Sequence, residues 1–225
     1  MWYVPAGMSW RSVELEAEVA EWVEALPPAE FGCAEFYIDL LAERGPLLDH
    51  PYTRQLRGKL RELRFHLGAR RDAVRMSYFI ASGRRIILLT VFRKRREQER
   101  GEIERAYKAM QHCIEVSRRA MAQKKTVMKR RSWASIKRAK ADSEQRRSGY
   151  RQAKEAFELA ERVRHARERV GLTQAELASR IGSTQPAVAR LEAGGSSPSF
   201  ATLRRIAAAL GFDLVVELRP RRVAA

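Results

Sequence analysis

The spacing of apolar residues predicts two amphipathic helices near the start of the chain. Apolar positions recur at i, i+3, i+4 and i+7 in both, as in a helix with one buried face. A segment at 9–16 that predicts a short strand precedes them, and Pro27-Pro28 and Gly45-Pro46 end them. The first stripe consists of Val19, Trp22, Val23 and Leu26, and the second of Cys33, Phe36, Tyr37, Leu40 and Leu41.

The pattern then changes to a period of two. The segments 61-RELRFHL-67 and 73-AVRMSYFI-80 alternate apolar and polar residues, which predicts two half-buried strands. After Ser82-Gly83, the segment 86-IILLTVF-92 is apolar on both faces and predicts a central strand. A further helical stripe runs from Ile103 to Ile114. The order β-α-α-β-β-β-α predicts an α+β domain over residues 1–116, with a small antiparallel sheet.

The rest of the chain falls into two parts. Residues 117–150 are basic and poor in large apolar residues, so we predict a linker or arm that orders on contact. Residues 151–225 are helical in pattern until 214-LVVEL-218, which predicts one last short strand. The predicted domains are therefore 1–116, the basic arm 117–150, and an all-α domain over 151–225.

Charge is distributed unevenly along the chain. The formal net charge is +17. Residues 1–53 carry −8, residues 54–116 carry +10, residues 117–150 carry +10 and residues 151–225 carry +5. Because each cation placed on a phosphate releases counterions, this excess favours a polyanionic partner.

Composition also narrows the classes of protein. The longest apolar run, 86–92, is far shorter than the roughly 20 residues of a membrane-spanning helix, and the first residues lack the pattern of a signal peptide. We therefore expect a soluble, cytoplasmic protein without a membrane partner. Cys33 and Cys113 lack the spacing of metal or redox sites, so we expect buried thiols, no metal and no cofactor.

The C-terminal domain carries a specific motif. Thr173-Gln174-Ala175-Glu176 is a capping box, Gly182 permits a tight turn, and Pro186 suits the first turn of the next helix. The segment 171-GLTQAELASRIGSTQPAVARLEAGGSSPSFATLRRIAAALG-211 resembles the Cro/repressor-type helix-turn-helix domains of phage repressors and antitoxins. The resemblance implies binding to operator DNA as a homodimer on a two-fold site.

The same resemblance implies which residues contact DNA. Helix 184–192 would enter the major groove, where glutamine pairs with adenine and arginine with guanine. Base edges would be contacted by Thr184, Gln185 and Arg190, and phosphates by Gln174 and the serines after Gly195. Ala187 belongs to the same predicted DNA-binding surface.

The N-terminal domain resembles a family of toxins. The order of its elements, with 62-ELRF-65, 75-RMSYFI-80 and 86-IILLTVFRKR-95, is similar to the RelE/ParE superfamily, in the phage-derived branch whose members are called HigB. The segments 129-KRRSWASIK-137 and 150–178 are similar to the start of its partner antitoxin, HigA. The resemblance implies a toxin fused to its antitoxin, which would repress its own operon.

Members of this toxin family cleave messenger RNA, usually on the ribosome, so the resemblance implies an endoribonuclease with mRNA and the ribosome as partners. Attack by a 2′-hydroxyl needs cations around the phosphate and only a weak base. The cations that we expect to converge on one phosphate are Arg64, Arg75, Arg93, Lys94 and Arg95, with His66 as a candidate acid or base.

Two departures from the family pattern leave alternatives open. Relatives often carry His-Gly where this chain has Thr90-Val91, and a Lys/Thr-rich segment where it has 96-REQERGE-102. One alternative is a transcription regulator with an inactive toxin-like domain. Another is a gyrase-directed poison of the ParE type, because a fold does not fix its target.

Overall fold

The computed structural model describes residues 12–94, 99–122 and 130–217. The chain divides into two units between Phe157 and Glu158. One helix, Glu144–Arg169, contributes residues to both units. No helix within the described ranges is long and apolar enough to cross a membrane.

The N-terminal unit contains a six-stranded mixed sheet in the spatial order β2-β3-β4-β5-β1-β6. β1 runs parallel to β5, and the other neighbouring strands are antiparallel. The expectation of a purely antiparallel sheet is therefore wrong, because helices and three strands separate β1 from β5 in the chain and no hairpin joins them. The strands are β1 (Ser12–Leu15), β2 (Thr53–Arg57), β3 (Leu60–Leu67), β4 (Asp72–Ala81), β5 (Arg85–Arg93) and β6 (Arg131–Ser132).

Helices cover both faces of this sheet. α1 (Ala17–Ala25) and α2 (Pro28–Arg44) pack on one face, and α3 (Glu99–Ala122) packs on the other. Ile86 and Leu88 of β5 are buried in the core with α1 and α2, whereas Ile87 and Leu89 are buried in the core with α3. This two-sided burial explains the unbroken apolar run and agrees with the central position predicted for β5.

Residues 130–157, which we call the strap, complete the N-terminal unit. The strap consists of Arg130, β6, α4 (Trp133–Ala139) and the first part of α5 (Glu144–Arg169). Trp133, Ile136, Ala153 and Phe157 are buried in the same core as α1 and α2.

The prediction of a linker over 117–150 therefore fails for the described residues of that range, and the domain boundary moves from 150 to 157. Trp133 and Ile136 are too few to give a strong local pattern. The polar contacts of the strap reach residues about a hundred positions earlier, as between Lys137 and Asp39.

The C-terminal unit is helical, as expected. It contains the end of α5 followed by α6 (Gln174–Arg180), α7 (Gln185–Glu192) and α8 (Phe200–Leu210). Residues 212–217 form no strand, so the strand predicted at 214–218 is wrong for its described part, and Leu218 lies outside the described residues. Val215 and Val216 are instead exposed. The core consists of Val163, Leu177, Ala178, Ile181, Val188, Leu191, Ile206 and Leu210.

Candidate nucleic-acid interfaces

Strand register places two of the predicted cations side by side. Arg64 of β3 lies directly opposite Arg75 of β4. Alternation along the strands puts both side chains on the sheet face that carries Phe79, which is the face covered further along by α3. His66, the candidate acid or base, follows two residues later on the same side of β3. The structure therefore brings Arg64 and Arg75 together, as the sequence predicted.

A buried carboxylate orients Arg64. The Glu62 side chain is 1% exposed and accepts a hydrogen bond from Arg64 Nε at 2.7 Å. Arg75 donates from Nη1 to the Val74 carbonyl at 2.9 Å. Burial, and next the neighbouring Arg64 cation, lower the pKa of Arg75.

Two buried side-chain atoms beside Arg64 have no hydrogen-bond partner among the described residues: Nε of Arg75 and Oε2 of Glu62. Buried polar atoms are normally paired, so an orphaned donor on a cation is an observation that requires an explanation. A guanidinium N–H forms strong, charge-assisted hydrogen bonds with an anion such as phosphate.

Further charged residues surround the pair. Arg54 of β2 lies opposite Glu62 and shares its face. Glu99, in the first turn of α3, lies 3.5 Å from Arg54 Nη1 and 3.7 Å from Lys94 Nζ. We call this group the sheet cluster, and its net charge is positive. Its members are Arg54, Glu62, Arg64, Arg75, Lys94 and Glu99.

Arg93 does not join the sheet cluster, so the prediction that five cations converge is wrong for this residue. Arg93 lies opposite Val74, whose side chain is in the core with α1 and α2, and therefore points to the other face. There it pairs with Asp72 at 2.7 Å and with Glu30 at 3.7 Å. Arg95 lies outside the described residues.

A β-bulge explains the position of Arg93. Ser77 pairs with Thr90, but Tyr78 pairs with Leu88, so Leu89 is an extra residue in β5. An extra residue reverses the alternation beyond it. The Ser77 and Thr90 hydroxyls consequently meet at 2.7 Å on the face of the sheet cluster, and Arg93 moves to the opposite face.

In the C-terminal unit, local hydrogen bonds fix the helix-turn-helix geometry. The Glu176 N–H donates to Thr173 Oγ1 at 3.2 Å, and the Thr173 N–H donates to Glu176 Oε2 at 2.7 Å. The bond from the Thr173 backbone lowers the pKa of Glu176. Gly182 has a φ of 61°, which glycine adopts without strain, and this lets the chain turn from α6 into α7. The predicted capping box and turn are confirmed.

A buried ion pair is linked by hydrogen bonds to the first residues of α6 and α7. Arg167 of α5 donates from Nε and Nη2 to Glu192 Oε1 and Oε2 at 2.6 and 2.9 Å, and these bonds raise the pKa of Arg167. Gln174 then donates to Glu192 Oε2 at 2.8 Å, and Gln185 donates to Gln174 Oε1 at 2.9 Å. The amides of Gln174 and Gln185 are thus linked to a buried, charged anchor.

The predicted DNA-contact residues lie at the first turns and on the open side of these helices. Gln174 is half-buried at the start of α6. The other four are exposed: Thr184, Gln185, Ala187 and Arg190. Thr184 is the N-cap residue of α7 and makes no side-chain cap bond. Their contacts with DNA remain predictions, but the structure leaves these side chains accessible.

Sequence reasoning missed the residues that orient the others. Arg54, Glu62 and Glu99 join the sheet cluster through strand pairing and helix packing, which a single sequence does not display. Arg167 and Glu192 are 25 residues apart. The sequence did contain a signal for Glu192. The helix packs through Val188 and Leu191, and a charged residue directly after Leu191 is a candidate for a buried ion pair.

Comparison with known proteins gives two family matches in separate parts of the chain. Residues 163–216 match the helix-turn-helix family model, and residues 21–111 match the model described as phage derived protein Gp49-like. An uncharacterized HTH-type transcriptional regulator of Methanothermobacter thermautotrophicus is 43% identical over 56 residues, which cover 25% of this chain and 81% of that protein.

The chain therefore belongs to the helix-turn-helix family through its C-terminal unit. Residues 21–111 of the N-terminal unit are similar to the Gp49-like, phage-derived family. No solved structure matches the chain, so the RelE/ParE likeness of the N-terminal fold remains a prediction.

Proposed function

We propose that this protein is a toxin–antitoxin regulator in one chain, acting in the cytoplasm. Its C-terminal unit binds operator DNA as a homodimer and represses its own operon. Its N-terminal unit binds and cleaves messenger RNA at the sheet cluster, with the ribosome as the expected setting. The observation that carries the N-terminal half is the buried Nε of half-buried Arg75, which has no hydrogen-bond partner among the described residues and lies beside Arg64.

For DNA binding, the hydrogen bonds that link Glu192, Gln174 and Gln185 support a role for Gln185 in reading a base edge. A reading amide has to present its donor and acceptor in a defined direction, because the adenine edge accepts and donates at fixed positions. Gln174 holds Gln185 at 2.9 Å and is itself held by Glu192. This pre-orientation lowers the entropy lost on binding. Arg190, exposed on α7, supplies the guanine-reading group.

The DNA-binding experiment is selection of a preferred duplex, followed by titration of variants. Gln185→Ala with Arg190→Ala should weaken binding by about 1–3 kcal/mol for each bidentate base pairing removed, and should abolish most of the sequence preference. Weak, salt-sensitive binding should remain. Arg151→Ala, an exposed arginine of the N-terminal unit, is the matched control. Unchanged sequence preference in the double variant would reject α7 as the reading helix.

For RNA, the sheet cluster supplies the cations that would stabilise the negative charge on a phosphate as the 2′-oxygen bonds to phosphorus and the 5′-oxygen leaves, with water taking up the 2′-hydroxyl proton and protonating the 5′-oxygen. Arg64 and Arg75 are adjacent, and Glu62 fixes the direction of Arg64. We propose that Arg75 Nε and the Arg64 guanidinium donate to the non-bridging oxygens of the phosphate, where negative charge develops. Glu62 acts as a positioning residue, because it touches Arg64 and is buried from substrate.

The RNA experiment uses the full chain carrying Gln185→Ala and Arg190→Ala, so that the DNA-binding surface contributes little. In this background, Arg75→Ala should weaken binding of single-stranded RNA about tenfold and abolish cleavage, because charge-assisted bonds to the phosphate are removed. An RNA with one 2′-deoxy position should bind but resist cleavage there. Arg57→Ala removes an exposed arginine of β2 that pairs with Glu104, and should change little.

The RNA experiment also distinguishes the proposed RNA cleavage from the two alternative functions of the N-terminal unit. RNA binding and cleavage that are equal in the Arg75→Ala and Arg57→Ala variants would reject the sheet cluster as the RNA site. An N-terminal unit that neither binds nor cleaves RNA would leave a transcription regulator with an inactive toxin-like domain. Gyrase inhibition without RNA cleavage would identify the ParE-type activity.

A further inference from the structure

Glu99 places a carboxylate across the cations of the sheet cluster. Its Oε1 lies 3.5 Å from Arg54 Nη1, and its Oε2 lies 3.7 Å from Lys94 Nζ. These two cations come from opposite sides of the four neighbouring strands β2-β3-β4-β5, because Arg54 belongs to β2 and Lys94 directly follows β5. A carboxylate that contacts both therefore reaches across β3 and β4.

The strands that Glu99 crosses carry Arg64 and Arg75, which lie directly opposite each other. The Lys94 N–H donates to the Ala73 carbonyl at 2.8 Å, and Ala73 is two residues before Arg75 on β4. Residues two apart in a strand share a face, so Lys94 flanks this pair on the same face. Burial lowers the pKa of Arg75, and the nearby Glu99 carboxylate acts in the opposite direction.

The contacts of Glu99 are loose. Both of its ion pairs are longer than the roughly 2.7–2.9 Å of a charge-assisted hydrogen bond. The Glu99 side chain is 31% exposed, and those of Arg54 and Lys94 are 54% and 42% exposed. Exposed pairs of this kind contribute little to stability, so Glu99 can leave its partners at low cost. Glu62 differs, because it is buried and accepts a hydrogen bond from Arg64 at 2.7 Å.

The buried Nε of Arg75 requires such a movement. This atom has no hydrogen-bond partner among the described residues and is shielded from solvent, so an anion reaches it only after a neighbouring group moves. Glu62 belongs to the sheet and is fixed by Arg64. Glu99 belongs to α3, the helix that covers this face of the sheet, and it is loosely held. Of the two carboxylates in the sheet cluster, Glu99 is therefore the one that moves at the lower cost.

We propose that Glu99 is an internal competitor of RNA at the sheet cluster: its carboxylate takes the place of a phosphate in the free protein, and RNA binds by displacing it. This regulation rests on the proposed RNA binding at the same cluster. Carboxylate and phosphate oxygens accept hydrogen bonds from the same cationic groups, so they exclude each other.

The competition also selects the class of ligand. A single small anion gains few contacts in return for displacing Glu99. A strand with successive phosphates can contact Arg54 and Lys94 with one phosphate while another reaches Arg75, so it compensates for both ion pairs that are lost. Glu99 therefore favours a polyanionic strand over isolated anions at this site.

The test compares Glu99→Gln with Glu104→Gln in the full chain that carries Gln185→Ala and Arg190→Ala. Both changes remove one negative charge from α3, but Glu104 pairs with Arg57 outside the sheet cluster. Glu99→Gln should lower the dissociation constant of single-stranded RNA about threefold to tenfold, because RNA no longer has to displace two ion pairs. Glu104→Gln should change it less than about twofold.

Inorganic phosphate is the second probe. Glu99→Gln should strengthen phosphate binding by at least the factor found for RNA, which narrows the preference for the strand. In a background with Arg54→Gln and Lys94→Gln, Glu99→Gln should change either affinity less than about twofold, because the cations that hold the carboxylate are absent. An undiminished gain in that background would show that Glu99 acts only through the overall charge, and would overturn the proposal.

Cleavage kinetics distinguish a competitor from a catalytic group. Glu99→Gln should lower KM and leave kcat unchanged, because the carboxylate has left before the reaction begins. A fall in kcat would assign Glu99 a part in the reaction and contradict the proposal.

The outcomes separate this inference from the proposed RNA function. If Arg75→Ala weakens RNA binding but Glu99→Gln and Glu104→Gln have equal effects on both probes, the competition is rejected and the RNA site stands. If no variant binds RNA, the proposed RNA function fails, and the phosphate titrations alone decide whether Glu99 competes with anions. Both glutamates are at least partly exposed, so equal urea midpoints should show that both variants are folded.

Discussion

Residues 54–116 and residues 117–150 carry the same net charge, +10, yet the fold uses the two sets of charges differently. In the first segment, Arg64 and Arg75 lie in a cluster that has a net positive charge and a donor with no partner among the described residues. In the described part of the second, cations such as Arg146 are paired with carboxylates of β1, α1 and α2. A basic segment is therefore evidence for a nucleic-acid surface only when the fold places no acidic surface against it.

The largest loss of stability is expected when the buried aromatic side chain of the strap is removed. Trp133 is 3% exposed and contacts Phe31, so Trp133→Ala should destabilise the N-terminal unit by about 3–5 kcal/mol. Urea unfolding of the full chain measures this value. Leu47→Ala, at a side chain that is 75% exposed, should change stability by less than about 0.5 kcal/mol. Equal effects of the two changes would mean that the strap is a loosely attached arm.

A smaller effect should follow from adding one methyl group where the strap touches α2. Gly149→Ala places a Cβ against the Ala29 backbone and should destabilise the unit by about 1–3 kcal/mol. Gly101→Ala is the control, since nothing lies within 4 Å of its Cβ and alanine favours helix, so stability should rise by up to about 1 kcal/mol. Thermal unfolding that ranks the two variants in the opposite order would contradict the close packing of α5 on α2.

The smallest effect is expected at the exposed edge of the strap. Arg131 pairs with Glu24, and the two side chains are 46% and 35% exposed. Arg131→Gln should therefore destabilise the unit by no more than about 1 kcal/mol, with less effect at high salt. Urea titrations at 0.05 and 0.5 M salt test this expectation. A loss above about 2 kcal/mol would show that exposed pairs contribute more to strap binding than the buried contacts do.

Local patterns predicted the parts of the molecule that local interactions determine. The capping box at Thr173 and the left-handed Gly182 act within a few residues, so the helix-turn-helix was readable from the sequence. The long alternations of β3 and β4 were readable for the same reason. β2 was not, because only Thr53 of its five residues is fully buried and the segment shows no clear alternation.

Longer-range features were not predictable from one sequence. The bulge at Leu89 places Arg93 on the opposite face of the sheet, and no residue type in this part of the sequence indicates a bulge. The strap depends on carboxylates such as Glu35, which lies 111 residues before its partner Arg146. In the candidate sites, the cations and amides were found from their residue types, whereas the carboxylates that orient them, Glu62 and Glu192, became visible only in the fold.

We expect RNA to contact the cations of the sheet cluster and not those of the strap. The salt dependence of RNA binding tests this expectation most directly. In the Gln185→Ala, Arg190→Ala background, Arg64→Ala with Arg75→Ala should reduce the slope of log affinity against log salt by about 0.7 for each phosphate that the protein no longer neutralises. Arg131→Gln with Lys137→Gln, which removes the same number of charges from the strap, should leave the slope unchanged. A reduced slope in the strap variant, with no change in the cluster variant, would contradict the account.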